Sequence, residues 1–135
     1  MNAQLCTASD NLLEKINGQL AFLDVALKAF KHVDIGTKVL TQMHRGITAI
    51  RGTLRAADSP DLEAFVCDFE DLLGLLVAGE IEFTPEMIQI VRNTTAALRM
   101  GVDALQHGES VTDAVQAARS EVFSLLLDHA VTVRR

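Results

Sequence analysis

The chain has 135 residues, enough for one domain with a sizeable core, and a formal net charge of −6 at pH 7. General nucleic-acid binders use basic surfaces and aromatic stacking platforms, whereas this chain is acidic and contains no Trp or Tyr. Cys6 and Cys67 lie far apart without a CxxC spacing, which predicts reduced thiols. The sequence has no basic start followed by an apolar block, and no run of ~20 apolar residues. We therefore expect a cytoplasmic protein.

Apolar spacing and punctuation predict two helices in the first part of the chain. The first extends from about residue 9 to residue 32. Its apolar face contains Leu12, Leu13, Ile16, Leu20, Leu23, Leu27 and Phe30. Gly36 separates it from the second, which extends from about residue 37 to residue 57. The apolar stripe of this second helix contains Val39, Met43, Ile47, Ile50 and Leu54.

Three further helices are predicted after residue 58. Ser59 and Thr84 each precede a proline, a pattern typical of a helix N-cap followed by the first helical residue. Glycines at 79 and 108 suit the C-terminal ends of the third and fourth helices. Ser110 and Asp113 resemble a capping box for the fifth helix. The expected inner face of this last helix contains Ala114, Ala118, Val122 and Leu125.

Long helices with short connections, and no strand-like alternation, predict an all-α fold. The expected architecture is an antiparallel four-helix bundle with a fifth C-terminal helix, forming a single domain over residues 1–135. No metal site is predicted. Asp103 and His107 have the i, i+4 spacing of a ligand pair, but no second pair completes a site. No cofactor motif is present either.

Polar residues on the second predicted helix form a candidate site opposite its apolar stripe. His44, Thr48, Arg51 and Arg55 are spaced four, three and four residues apart, and such residues share one helix face. A solvated polar face is the simplest interpretation of this pattern. Gly52, beside them, favours a second one. A glycine inside a helix costs roughly 0.5–1 kcal/mol relative to alanine and often marks a close approach by another chain.

The segment Thr48–Gly52 resembles the His-x-x-Lys-Gly motif of the histidine phosphotransfer (HPt) domain, in particular the N-terminal domain of chemotaxis-type histidine kinases. The positions that match the family in register are Arg45, Ile50, Gly52, Leu62, Glu70, Leu72, Leu73, Gly79 and Glu80. The resemblance covers about residues 40–105. It implies that Thr48 replaces the phosphorylated histidine and Arg51 the lysine. The glycine-rich run that follows the motif in the family is absent here.

The resemblance implies a site on two helices. Cys67 and Glu70 match the positions whose side chains neighbour the reactive histidine of the family, and Gly52 matches the glycine that lets a receiver domain dock. A threonine hydroxyl without an activating base is a poor nucleophile. The resulting prediction is a protein that binds a response-regulator receiver or a histidine kinase through His44, Arg45, Thr48, Arg51, Gly52, Arg55, Cys67 and Glu70, without carrying phosphate.

Two alternatives remain open. His44 lies one helical turn before Thr48 and could act as a substitute phosphoryl acceptor, although a shift of one turn moves the imidazole by ~5.4 Å. The second alternative is a structural or scaffolding bundle without a signalling partner. In all three interpretations the apolar stripe predicts that Thr48 lies in mid-helix with its side chain in solvent.

Overall fold

The computed structural model describes residues 2–28, 36–57 and 59–133, and within these ranges the chain forms α-helices and no strand. The five helices are α1 (Asn2–Lys28), α2 (Gly36–Ala56), α3 (Pro60–Val77), α4 (Pro85–Gln106) and α5 (Val111–Val133). The predicted all-α class is therefore confirmed. No helix in these ranges is long and apolar enough to cross a membrane.

The start of α1 differs from the prediction. The helix begins at Asn2 instead of about residue 9. Ser9 and Asp10 are frequent cap residues, but the helix continues through them, because residue preference at a single position is a weak signal. The predicted end at His32, and the core position Phe30, lie outside the described residues. Gly36, predicted as a separator, is the first residue of α2.

Three of the other predicted helix boundaries have the expected geometry, and one differs in its side-chain hydrogen bonding. The Thr84 hydroxyl accepts a hydrogen bond from the Met87 amide at 3.2 Å, as expected for an N-cap. Gly79 and Gly108 have φ angles of 76° and 68°, the left-handed conformation that favours glycine after a helix. Ser59 occupies the predicted N-cap position of α3, but its side chain makes no capping hydrogen bond. The capping role predicted for this side chain is thus wrong.

One cluster of buried apolar side chains receives residues from every helix. All five residues of the predicted α2 stripe belong to it and are at most 6% exposed. The predicted inner face of α5 is confirmed at Val122, which is 0% exposed, and at Ala118 and Leu125, which pack against the core, but it differs at its first position. Val115 is 1% exposed, whereas the predicted Ala114 is only half-buried. Several alanines surround these positions, and their small apolar side chains make the period of the helix difficult to read.

The candidate site lies on α2 and α3, and the contacts of these two helices determine its position. The most extensive helix contact is between α2 and α3, while α1 packs on α2 and α5 packs on α3 and α4. In α4, a Cβ added at Gly101 would come within 2.8 Å of Leu62 on α3 and of Val115 on α5. This glycine allows α3, α4 and α5 to approach each other closely.

Replacing Gly101 is expected to destabilise the fold. In Gly101→Leu the new side chain would displace Leu62 and Val115, and overpacking of this kind costs about 1–3 kcal/mol. Gly18→Leu in α1 is the matched control, because Gly18 is exposed and an added Cβ there meets no atom within 4 Å. Urea denaturation followed by circular dichroism measures both free energies of unfolding. Equal stability of the two variants would contradict the proposed close packing at Gly101.

Candidate functional site

Thr48 lies in the middle of α2 with an exposed side chain. Its neighbours Ile47 and Ile50 are both 0% exposed and belong to the core cluster. The predicted orientation of Thr48 is therefore confirmed. It follows from the apolar stripe, which fixes one face of α2 against the bundle and leaves position 48 on the other.

The Thr48 hydroxyl is bonded to α3. Thr48 Oγ1 lies 2.6 Å from Glu70 Oε2 and 2.9 Å from the His44 carbonyl oxygen of its own helix. A hydroxyl has one proton, so it donates to these two acceptors in turn or shares the proton between them. A carboxylate attracts that proton more strongly than a carbonyl does. The Thr48–Glu70 hydrogen bond thus joins the candidate site across two helices.

Glu70 is the centre of this arrangement. The residue is only 9% exposed, and its second oxygen, Oε1, accepts a hydrogen bond from Arg51 Nη1 at 2.5 Å. The Arg51 side chain is 35% exposed, so the ion pair lies at the margin between core and solvent. A carboxylate with little solvent contact needs a nearby positive charge and hydrogen-bond donors, and here it has both. Thr48, Glu70 and Arg51 are called the Glu70 network below.

A second ion pair lies further along the same helix pair. Arg55 Nε donates to Glu63 Oε1 at 3.1 Å, with the arginine mostly exposed. Later residues of α2 thus meet earlier residues of α3, which means that the two helices run in opposite directions. The pairs also leave α2 with less free positive charge than its sequence indicates. Only Arg45 among its three arginines makes no ion pair within the described residues.

His44 is half-buried and lies against α3. A Cβ added to Gly74 would be 3.5 Å from His44 Nε2, an ordinary van der Waals distance, so the imidazole lies directly beside this glycine. Around this contact is a groove of about 680 Å³. It is lined by His44, Thr48, Glu70, Asp71, Gly74, Leu75, Glu80 and Leu126. Sequence reasoning missed Gly74, although a glycine inside a helix was a usable signal, as it was at Gly52.

Gly52 is exposed on α2, and a Cβ added there meets no atom within 4 Å. No contact within the described part of the chain explains the absence of a side chain at this position. Ala49, one turn earlier, is also exposed. The surface beside Thr48 is consequently low and open, a shape that allows another chain to approach the α2 backbone.

Cys67 is half-buried and lies one turn before Glu70 on α3. Its thiol makes no hydrogen bond to the Glu70 network in the described structure. The structure therefore places Cys67 beside the network without a visible part in it. Five of the other predicted members lie along the contact between α2 and α3, namely His44, Thr48, Arg51, Arg55 and Glu70. The remaining two, Arg45 and Gly52, are exposed on α2.

The described residues give little support to a metal site or to a functional site at His107. No group of three or more His, Cys, Asp or Glu side chains is positioned to hold a metal ion. His107 Nδ1 lies 2.8 Å from the Asp103 carbonyl oxygen and 3.4 Å from its carboxylate. The hydrogen bond with that carbonyl, followed by the carboxylate charge, raises the pKa of His107. This contact at the end of α4 has a sufficient structural explanation.

Comparison with known proteins does not classify the chain. No protein-family model matches it, and no curated protein matches its sequence significantly.

Proposed function

We propose that this protein is an HPt-type bundle, four antiparallel helices with α5 appended, that binds a receiver domain or a kinase without carrying phosphate. The main support is the Glu70 network. The resemblance implies that positions 48, 51 and 70 surround the phosphorylated nitrogen in the family. In this chain Thr48 and Arg51 each form a hydrogen bond with Glu70, one to each oxygen of its carboxylate, at the margin between the core and the solvent.

The residues at the site disfavour phosphoryl transfer. The Thr48 hydroxyl is a weak nucleophile compared with imidazole. Its hydrogen bond to Glu70 at 2.6 Å also places a carboxylate where a phosphoryl group on Thr48 would bring more negative charge. Arg51 offsets one negative charge, not several. The site therefore suits binding better than group transfer.

Two features of the surface suit a receiver. Gly52 and Ala49 leave room for the backbone of a partner. Arg45 supplies a positive charge that no carboxylate in the described residues neutralises, and the phosphorylation pocket of a receiver is acidic. Occupation of that pocket would withhold the receiver from an active phosphotransfer domain. The proposed mechanism is therefore sequestration.

The alternative with His44 as phosphoryl acceptor has less support. His44 is half-buried beside Gly74 and lies one helical turn from the position of the family histidine, whereas phosphoryl transfer depends on accurate positioning. A purely scaffolding role makes no use of the open surface at Gly52. Direct measurement of receiver binding separates this role from the proposed one.

The test is a competition experiment. Added in excess, the protein is expected to slow phosphoryl transfer from a chemotaxis-type kinase to its receiver and to form a one-to-one complex by calorimetry. Arg45→Glu should weaken the complex several-fold, since it reverses a positive charge of α2 that no carboxylate in the described residues neutralises. Lys15→Glu on α1 makes the same change of charge on another helix and is the control. Absence of binding to every receiver and kinase tested would reject the proposal.

A further inference from the structure

An exposed apolar stripe lies on α5. Phe123, Leu127 and Val131 are 58%, 53% and 48% exposed. Their four-residue spacing places them on one face of the helix, over a length of ~12 Å. Single exposed apolar residues are ordinary, but an aligned group on one helix face indicates a contact surface.

A cavity between α3 and α5 opens beside Phe123. Its volume is about 280 Å³, and it is lined by Asp61, Thr112, Val115, Gln116, Arg119, Ser120 and Phe123. The volume is larger than that of a ~150 Å³ apolar cavity that holds benzene in another protein, and here Val115 and Phe123 form the apolar part of an otherwise polar lining. The Phe123 ring forms part of the rim and does not fill the cavity.

Opposite charges lie at the edge of this cavity. Asp61, in the first turn of α3, is exposed and makes no ion pair within the described residues. Arg119 of α5 is 44% exposed and forms an ion pair with Asp68 of α3 at 3.7 Å. Within one chain these two edge charges do not meet. They are positioned to form an ion pair across an interface, with Asp61 from one chain and Arg119 from the other.

We propose that a second copy of this chain covers the α5 stripe in a two-fold dimer. Each Phe123 enters the cavity of the other copy, and each Arg119 faces Asp61 of that copy. A surface with both the protruding ring and its cavity is self-complementary, as two-fold contacts require. Three apolar side chains from each copy and two symmetry-related ion pairs at the rim make a small interface, so the dimer forms reversibly with concentration. This inference does not depend on the proposed signalling function.

Sedimentation velocity from roughly 10 μM to 1 mM protein tests the dimer, a range suited to a weak interface. The expected result is a reversible monomer–dimer equilibrium. Phe123→Ser and Leu127→Ser should each raise the dissociation constant at least about tenfold, since both remove anchors of the contact. Met100→Ser is the control, because Met100 is 59% exposed on α4 and outside the stripe. A monomer throughout the range, or a dimer that resists both serine variants, overturns the proposal.

Charge reversal tests the orientation of the two copies. Asp61→Arg and Arg119→Glu should each weaken the dimer, and the double variant should restore it, because the exchanged pair is then rebuilt in reverse. Each variant is used after its melting temperature has confirmed a folded protein, since Arg119 also contacts Asp68. If the folded double variant associates no better than the single ones, the proposed arrangement is wrong.

Discussion

Thr48→His is expected to convert a protein that accepts no phosphate into one that does. An imidazole at position 48 would lie on the exposed face of α2, within reach of the Glu70 carboxylate that now accepts the Thr48 hydroxyl proton. A carboxylate in this position orients an imidazole and makes it more basic. Arg51 is already bonded to the same carboxylate and lies close to the incoming charge. The expected change is from no phosphorylation to detectable phosphorylation, because the wild-type chain has only a weak nucleophile at position 48.

The measurement is incubation with a chemotaxis-type kinase and radiolabelled ATP, followed by acid treatment. Label that is lost in acid and stable in base identifies phosphohistidine. Wild type should stay unlabelled, Thr48→His should be labelled, and Thr48→His with Glu70→Gln should be labelled more slowly. Label on the wild type that disappears with His44→Ala would reverse the assignment in favour of His44. A folded Thr48→His that takes no label would contradict the alignment of position 48 with the family histidine.

The helices were predictable because their signals are local. Thr84 with the following proline, and the glycines at 79 and 108, specify chain ends by hydrogen bonding and by φ angle alone. The α2 stripe specifies a buried face by its period alone. Ser9 misled the prediction for α1, because cap residues also occur inside helices, where the spacing of apolar residues and tertiary contacts decide the outcome.

The residues of the site were predictable, but their contacts were not. The spacing of residues in the sequence shows which of them share a helix face, but not which residues of the neighbouring helix lie against that face. That Glu63 pairs with Arg55 depends on the register of α2 against α3. The same register places His44 over Gly74. The motif resemblance pointed to Glu70 beside position 48. It did not indicate how far the α3 carboxylates neutralise the arginines of α2, and this changes which charge is free for a partner.

Gly52→Gln is expected to weaken receiver binding without lowering the stability of the fold. A long side chain at position 52 would project from the open surface of α2 into the space that a docked receiver occupies. Forcing extra atoms into a packed contact costs about 1–3 kcal/mol, which corresponds to a complex weaker by roughly fivefold to 150-fold. Within the chain, the new side chain meets nothing within 4 Å of its Cβ, so the fold itself should accept it.

The substitution Gly52→Gln should also stabilise α2. Glutamine is a better helix former than glycine by up to about 1 kcal/mol, so the melting temperature of Gly52→Gln should equal or exceed that of wild type. Gly18→Gln is the matched control, because Gly18 is also helical, exposed and free of neighbours within 4 Å. Both variants should be at least as stable as wild type, and only Gly52→Gln should lose receiver binding. If both bind as tightly as wild type, the open face of α2 has no role in docking and the scaffolding interpretation becomes the better one. If both lose binding equally, the loss does not arise at the α2 face, and the docking surface lies elsewhere.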